Sequence, residues 1–218
     1  ERFYSAFLPE FPENHGNTLT GGVGCIVMNC NPFTKGHLAL ITYAASRCSL
    51  LHIFVVEEDR SLFPFEVRMR LVKEGTAHLP NVKVHPSGPY MISSATFPTY
   101  FLKKGEDAAR IQSELDITLF ASRIAPLFHI TKRFAGEEPL DPVTRDYNEA
   151  MIRLLPQYSI SFIKIARTTA EAPEGKPEVI SASRVRKLLA ETGVTEEVLQ
   201  LVPPCTAQYL KNEFGARP

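Results

Sequence analysis

Short apolar runs alternate along this chain with longer stretches in which apolar residues recur three or four positions apart. The runs are rich in β-branched residues and predict buried strands over residues 23–28, 50–56, 82–85, 129–135 and 159–166. The longer stretches predict amphipathic helices over residues 38–45, 64–79, 105–127, 141–155 and 185–192. In the second of these helices Val67, Leu71 and Thr76 form the apolar stripe, and charged residues are expected opposite it.

The order of these elements predicts the fold. Strands that alternate with helices favour a parallel sheet, because parallel neighbours need crossover connections, and these are right-handed. We therefore expect an α/β, Rossmann-like parallel sheet of about five strands with helices on both faces. Residues 1–22 are aromatic and Pro-rich and then rich in Gly, Thr and Asn, which indicates an arm or interdomain linker before a domain over residues 23–214. Ligands of such sheets bind at the carboxyl ends of the strands.

Composition narrows the class of protein. The 218 residues include 24 Lys and Arg and 24 Asp and Glu, so nothing indicates bulk attraction to nucleic acid or to a membrane surface. The cysteines lack C-x-x-C spacing, and no apolar stretch reaches the roughly 18 residues of a membrane helix. These features favour a soluble cytoplasmic protein with reduced thiols. The histidines lack metal-ligand spacing, so no protein-held metal site is expected.

The turn after the first strand, NPFTKGH at residues 31–37, carries the first candidate chemistry. Asn and Pro end the strand, and Gly36 and His37 fall at the first turn of the helix. Unpaired N–H groups and the positive end of the helix dipole gather there, and Gly36 lets a ligand approach the backbone, so phosphate is the expected ligand. An ordinary strand-to-helix turn capped by Thr34 is the alternative.

After the fifth strand, residues 167–179 are polar and contain Pro and Gly, which predicts a loop. A second polar turn, ISASRVR at residues 180–186, follows this loop and precedes the last predicted helix. Ser181 is a natural N-cap, and Ser183 and Arg186 lie three residues apart near the helix N-terminus. A hydroxyl, a guanidinium and free N–H groups predict a second phosphate site, with Arg186 suited to a leaving pyrophosphate. A capped helix with solvated arginines is the alternative.

Both turns resemble signatures of the nucleotidyltransferase superfamily. TKGH at residues 34–37 matches the [HT]-x-G-H pattern, and ISASRVR is similar to I-S-S-T-x-x-R, with Ala182 at the second Ser position and Ser183 at the Thr position. The resemblance implies the HxGH nucleotidyltransferase fold and catalytic roles for Thr34, His37, Ser183 and Arg186. It implies nucleotide contacts from Asn31, Pro32, Phe33, Lys35, Gly36, Glu137, Arg167, Ile180 and Ser181. A solvated side chain is the alternative for Lys35, and a helix-start carboxylate is the alternative for Glu137.

A wider resemblance narrows the family. Segments that include MNCNPFTKGH, RFAGEEPLDPVTRDYNEAM and ISASRVR are similar to the catalytic C-terminal part of the citrate lyase ligases, over nearly all of residues 22–214. Family members carry an additional N-terminal acetyltransferase-like domain, which is expected to be absent from this chain. The resemblance implies that ATP, with Mg²⁺, and acetate form acetyl-adenylate and pyrophosphate. The acetyl group then passes to the thiol of the phosphoribosyl-dephospho-CoA arm on the citrate lyase acyl carrier subunit, and AMP leaves.

The segment after the third strand completes the expected site. Residues 90–97 are too polar and aromatic for a core loop, and Ser93, Thr96 and Phe97 are expected to line the acetate and thiol pocket. Two other functions remain open. In the first, the protein is a nucleotidyltransferase that moves AMP or CMP to a phosphate-bearing acceptor. In the second, it is a binding module that holds ATP or the carrier subunit without turnover. Neither nucleic acid nor a membrane is expected as a partner.

Overall fold

A parallel five-stranded sheet forms the centre of the protein. The computed structural model describes residues 2–5, 21–57, 61–91, 106–137, 142–166, 169–171 and 177–215. The strands of this sheet are β1 Val23–Met28, β2 Leu50–Val55, β3 Val82–Pro86, β4 Ile130–Gly136 and β5 Ser161–Ile165. Their order across the sheet is β3-β2-β1-β4-β5, and each neighbouring pair is parallel. The predicted α/β fold is therefore confirmed.

Helices cover both faces of this sheet. Within the described residues they are α1 Arg2–Ser5, α2 Lys35–Ala45, α3 Phe65–Thr76, α4 Glu106–Leu119, α5 Ala125–Leu127, α6 Pro142–Leu154, α7 Ala182–Thr192, α8 Glu196–Gln200 and α9 Pro204–Phe214. Ile53 and Phe54 are neighbours on β2 and point to opposite faces. Ile53 packs in a buried cluster with residues of α2 and α3, and Phe54 packs in another with residues of α4 and α6. A third cluster joins α7, α8 and α9.

The carboxyl ends of β1 and β4 form a crevice at the centre of the sheet. In the sheet, β1 lies between β2 and β4. The chain runs from β1 outward through β2 to β3, and it then reverses direction across the sheet and returns to the other side of β1 as β4. The helix after β1 packs on one face and the helix after β4 packs on the other. Ligands of open α/β sheets bind in the gap that this reversal leaves. Met28 and Gly136 end their strands at this gap.

The long helix predicted over residues 105–127 is interrupted. α4 continues as a π-helical turn, Phe120–Ile124, before α5 begins. Pro126 explains the change, because it has no N–H to donate and its ring crowds the carbonyl four residues earlier in an α-helix. The Ala125 N–H accordingly bonds the Phe120 carbonyl, a spacing of five residues that is typical of a π turn.

The polar segment after β5, predicted as a loop, contains a short antiparallel hairpin. β6 Thr169–Glu171 pairs with β7 Pro177–Val179. The loop prediction was wrong for these residues. Strands of three residues are too short to show the apolar alternation by which longer strands are recognised in a sequence.

One charged residue of α3 is buried where the pattern predicts exposure. Leu71 and Thr76 lie inside as predicted, but Arg68 is also buried, at 0% exposure. Its guanidinium donates to the carbonyls of Asn29, Val56 and Phe63 at 2.7, 2.8 and 2.9 Å. The prediction that charged residues lie opposite the apolar stripe was wrong for Arg68, because these carbonyls take the place of water.

The start of the predicted arm lies against the sheet. Tyr4 of α1 is 3% exposed, and its hydroxyl donates to the Ser87 carbonyl at 2.6 Å. The ring also meets Phe54 and Phe128 edge to face. Residues 6–20 of the arm lie outside the described residues. None of the helices in the described part of the chain is both long and apolar enough to span a membrane.

Candidate active site

The turn after β1 holds Thr34 and His37 against each other. Thr34 is the N-cap of α2, and its hydroxyl accepts a hydrogen bond from the His37 backbone N–H at 3.4 Å. The Thr34 N–H donates to His37 Nδ1 at 3.1 Å, and the Thr34 hydroxyl lies 3.0 Å from the same nitrogen. Because Nδ1 is an acceptor here, the proton of the neutral imidazole belongs on Nε2. The turn thus sets both the orientation and the tautomer of His37.

Asn31, Pro32 and Phe33 form the base of this turn. The Asn31–Pro32 peptide is cis, and Phe33 has 0% exposure. The Phe33 ring stacks on the His37 imidazole with centroids 6.1 Å apart. The side-chain carbonyl of Asn31 accepts from the Phe63 N–H at 3.1 Å. These contacts anchor the turn to the interior of the protein, and the predicted nucleotide contacts of these residues stay predictions.

The ISASRVR segment begins α7. Ser181 is its N-cap, as predicted, and its hydroxyl accepts from the Arg184 N–H at 3.1 Å. Arg186 donates to the Ser183 hydroxyl at 3.2 Å, so these two side chains share one face as their spacing predicts. The other end of the guanidinium donates to the Asn31 carbonyl. Arg186 therefore links the second turn to the first.

The two turns also touch through Gly36. A Cβ placed on Gly36 would lie 2.9 Å from the Ile180 carbonyl oxygen, so a larger residue would displace one of the turns. The neighbouring Lys35 N–H donates to the Leu201 carbonyl at 2.9 Å. Segments far apart in the sequence therefore bring the N-termini of α2 and α7 together.

A cavity of about 850 Å³ opens beside these helix starts. This volume falls within the range of small-molecule and cofactor sites. Among the predicted residues its wall contains Thr34, Gly36, His37, Glu137, Ile180, Ser181 and Ser183. The facing wall comes from β4 and α6 and includes Arg133, Ala135, Thr144, Tyr147 and Asn148. The cavity lies at the carboxyl ends of β1, β4 and β5, where the fold places ligands.

Of the predicted residues that the structure describes, Asn31, Pro32, Phe33, Lys35 and Arg186 do not line the cavity, whereas Glu137 does. Lys35 is exposed. Glu137 is exposed at the cavity rim, where its carboxylate lies 3.7 Å from Lys164 Nζ. Arg167, Ser93, Thr96 and Phe97 lie outside the described residues. Their assigned contacts stay predictions.

A buried polar network in the facing wall was not predicted from the sequence. Arg133 is 3% exposed and donates to the Tyr147 hydroxyl at 3.2 Å, and that hydroxyl donates to Asp116 at 2.5 Å. The guanidinium carbon lies 4.2 Å from the centre of the Phe120 ring. Burial raises the pKa of the Tyr147 hydroxyl, which therefore stays protonated. Burial alone lowers the pKa of Arg133, but nearby Tyr147, Cys25 and Asp116 outweigh it and raise that pKa overall.

A signal for Arg133 is present in the sequence. The run HITKRFA places Lys132 and Arg133 side by side in a strand predicted to be buried on both faces. Neighbouring residues of a strand point to opposite faces, so at least one of the two cations must enter the interior. In the structure Lys132 reaches the Arg47 carbonyl at 3.0 Å, while Arg133 occupies the cavity wall.

Metal ligands come mainly from His, Cys, Asp and Glu side chains, and reactive thiols come from Cys. Within those ranges no three His, Cys, Asp or Glu side chains come together as a metal-binding group. Cys25 and Cys30 are buried, and burial raises the pKa of Cys25 to about 12. Burial also raises the pKa of Cys30. A protonated, buried thiol is neither a good nucleophile nor a good ligand.

Comparison with known proteins identifies the family of the chain. Residues 23–210 match the family model described as the citrate lyase ligase C-terminal domain. The chain is 45% identical over 190 residues to the [citrate [pro-3S]-lyase] ligase of Escherichia coli (strain K12), covering 87% of this chain and 54% of that protein. It is 44% identical over 192 residues to the protein of the same name from Klebsiella pneumoniae, covering 86% of this chain and 54% of that protein. The chain thus spans about half the length of these curated relatives.

Solved structures share the fold at low identity. A bifunctional NMN adenylyltransferase/ADP ribose pyrophosphatase from Francisella tularensis has a TM-score of 0.56 at 14% identity, covering 88% of this chain and 49% of that one. Thermotoga maritima TmcAL bound with alpha-thio ATP has a TM-score of 0.54 at 14% identity, covering 88% and 56%. These structures support the nucleotidyltransferase fold predicted from the motifs. The family match over residues 23–210 shows that the chain belongs to the citrate lyase ligase family.

Proposed function

We propose that this chain carries the adenylate-forming centre of a citrate lyase ligase and uses ATP to activate acetate for transfer to a carrier thiol. The observation that carries this proposal is the meeting of two phosphate-type turns at one cavity. Gly36 contacts Ile180, Arg186 bonds Asn31, and Thr34, His37 and Ser183 line the space between. Membership of the family supports acetate and the carrier subunit as its substrates.

The two helix starts provide the phosphate site. N–H groups at the N-termini of α2 and α7, together with the positive ends of their dipoles, suit the negative charge of a triphosphate. His37 adds a donor at Nε2, because Thr34 holds its Nδ1 as an acceptor. Ser183 and Arg186 share a face at the start of α7, where they suit the departing pyrophosphate.

Adenylation at this site needs positioning rather than a protein nucleophile. A carboxylate oxygen of acetate attacks the α-phosphorus, the bond to the oxygen that bridges to the β-phosphate breaks, and pyrophosphate leaves with that electron pair. Negative charge grows on the leaving group, so donors fixed around it stabilise the transition state more than bound ATP. The carrier thiolate then attacks the acetyl carbonyl carbon, a thioester forms, and AMP leaves.

ATP and Mg²⁺ suit the described residues in different ways. The TmcAL structure contains alpha-thio ATP, and its shared fold supports the same class of ligand here. Mg²⁺ is commonly held by substrate phosphates with one or two carboxylates, and Glu137 at the rim is a carboxylate of that kind. The ion would supply charge neutralisation on the triphosphate.

Isotope exchange tests the proposal. The protein is incubated with ATP, Mg²⁺ and labelled pyrophosphate, with acetate or with chloride at the same ionic strength. We expect exchange into ATP that depends on acetate. Exchange that needs a phosphorylated acceptor and ignores acetate would favour transfer of AMP or CMP instead. ATP binding without exchange under either condition would favour a binding module.

A further inference from the structure

The cavity wall formed by β4 and α6 contains a buried cation, Arg133, which makes no hydrogen bond to either of the two turns within the described residues. Arg133 pairs with Cys25 across the sheet, three residues before Met28 ends β1. Its Cα therefore lies about 10 Å below the carboxyl edge of the sheet, and its side chain lines the cavity wall. A guanidinium has five N–H donors. Within the described part of the chain, Arg133 makes one hydrogen bond, to Tyr147.

This cation is held in one orientation. The Tyr147 hydroxyl accepts from Arg133 and donates to Asp116, and the Phe120 ring covers the guanidinium at 4.2 Å. Tyr147 belongs to α6 and Asp116 to α4, so the packing of two helices fixes the network. A ligand that binds a fixed guanidinium loses less affinity to the ordering of that side chain.

The surroundings favour a small carboxylate over a phosphate. Val27, Ala135 and Met151 line the same cavity and offer apolar contacts to a short alkyl group. The planar guanidinium fork matches the two oxygens of a carboxylate. A single negative charge also costs less to desolvate at the floor of the cavity than the two charges of a phosphate. The helix starts already provide the donors that suit phosphate groups.

We propose that Arg133 binds the carboxylate of the acyl substrate and that Tyr147 and Asp116 are positioning residues that hold its guanidinium. The identity of the acid as acetate rests on the proposed function, but carboxylate binding is measurable without turnover. The guanidinium neutralises the carboxylate, and the apolar lining receives the methyl group. The Arg133 pocket therefore sets the acid that the enzyme accepts.

Binding of ¹³C-labelled acetate, followed by NMR titration, tests this proposal directly. The protein is saturated with α,β-methylene ATP, so that no adenylate forms. We expect Arg133→Gln to weaken acetate binding about 10- to 100-fold, which is the range for losing hydrogen bonds to a charged group. Arg133→Lys should weaken it about tenfold, because the charge stays and the fork is lost. Affinity for the nucleotide analogue should change less than about twofold in both variants.

Two further variants separate positioning from packing. Tyr147→Phe removes the hydroxyl but keeps the ring, and it should raise the KM for acetate about three- to tenfold with the KM for ATP unchanged. Arg153→Gln is the matched control. It removes an ion pair with Glu114 that joins the same two helices away from the cavity, and acetate affinity should stay within about twofold.

Several results would overturn the assignment. These are no acetate binding by the wild type, undiminished binding in folded Arg133→Gln, or inorganic phosphate binding more tightly than acetate through Arg133. If Arg133→Gln does not fold, Arg133→Lys decides by the same criterion. Arg133-dependent acetate binding without pyrophosphate exchange would uphold this site and overturn the proposed reaction, so the two failures are distinguishable.

Discussion

Two buried arginines, one on each side of the central strand, differ in what satisfies them. Arg68 is 0% exposed and Arg133 is 3% exposed. Arg68 donates hydrogen bonds to the backbone carbonyls of Asn29, Val56 and Phe63 and to the side chain of Asn29, so protein atoms accept all of these bonds. Within the described residues the guanidinium of Arg133 donates a hydrogen bond to Tyr147 and is covered by the Phe120 ring, and the side chain lines the cavity. Burial alone therefore does not separate a structural cation from a binding one, whereas the acceptors that surround the guanidinium do.

The position of Arg68 explains its role. Asn29 follows β1 and Val56 follows β2, so one side chain joins the ends of two strands directly below the NPFTKGH turn. Buried carbonyls need donors, and a guanidinium supplies several from one residue. Arg68 thus supports the site without taking part in the reaction.

The largest expected effect is on stability, from Arg68→Met. Loss of the guanidinium leaves several carbonyls without their donor, so the free energy of unfolding should fall by about 3–5 kcal/mol. Urea denaturation of the wild type and the variant measures this difference in the free energy of unfolding. Arg70→Met on the same helix is the control, because its ion pair with Glu74 is exposed and should be worth at most about 0.5 kcal/mol. Equal losses in the two variants would remove the structural role of Arg68.

His37→Ala should affect catalysis and leave stability nearly unchanged. Removing a donor to the transition state should lower acetate-dependent exchange by about two orders of magnitude or more. Thermal unfolding should show only a small fall in Tm, because the substitution removes one hydrogen bond from the Thr34 N–H and His37 is only partly buried. His78→Ala, at an exposed position after α3, should keep full activity. Full activity in His37→Ala would rule out its assigned role.

Acid should destabilise the fold through a buried histidine pair. His52 Nδ1 lies 2.9 Å from His85 Nε2. Burial, followed by the charge of the other histidine, lowers the pKa of His52 to about 3. Burial, followed by Lys73 and Lys83, lowers that of His85 to about 4. The unfolded chain takes up protons near pH 6.5 and the folded chain does not, so stability is full above pH 6.5 and falls as the pH drops towards 4.

The loss between pH 7 and pH 5 should be on the order of 2 kcal/mol for each histidine, so about 4 kcal/mol for the pair. Urea unfolding at the two pH values measures it. His85→Gln should flatten this dependence, because it removes one titrating group while a side-chain amide can still bond His52. His78→Gln should keep the dependence of the wild type. An unchanged slope in His85→Gln would show that other groups control acid unfolding.

The smallest expected effect is that of Arg186→Lys, which should lower the single-turnover rate more than it weakens ATP binding. An ammonium keeps the charge but loses the fork that suits a leaving pyrophosphate, so the single-turnover rate should fall about tenfold. The Kd for ATP should rise by less than about threefold. A variant with the normal rate at saturating ATP and weaker ATP binding would show that Arg186 acts on the ground state.

Most of the fold is predictable because its signals are local. The apolar period predicts β1 over residues 23–28, where the structure has Val23–Met28, and β4 over residues 129–135, where it has Ile130–Gly136. The caps at Thr34 and Ser181 follow from side chains beside the backbone groups that they satisfy. Each of these features depends on residues that lie close together in the sequence.

The buried arginines depend on contacts that no local pattern contains. Asn29, Val56 and Phe63 come from different segments, and their carbonyls meet Arg68 only in the folded sheet. Arg133 likewise depends on Tyr147 and Asp116 from separate helices. The apolar stripe of α3 therefore shows where the helix packs, but it does not show which cation enters with it.

The contact between Gly36 and Ile180 also sets an order of events during synthesis on the ribosome. The five-stranded sheet needs residues only as far as Ile165. The wall beside Gly36, and the carbonyl that receives the Lys35 N–H, come from Ile180 and Leu201. A nascent chain that stops after β5 therefore has its sheet but only half of the proposed nucleotide site. Nucleotide capture by stalled chains of increasing length should appear only after Leu201 has left the exit tunnel.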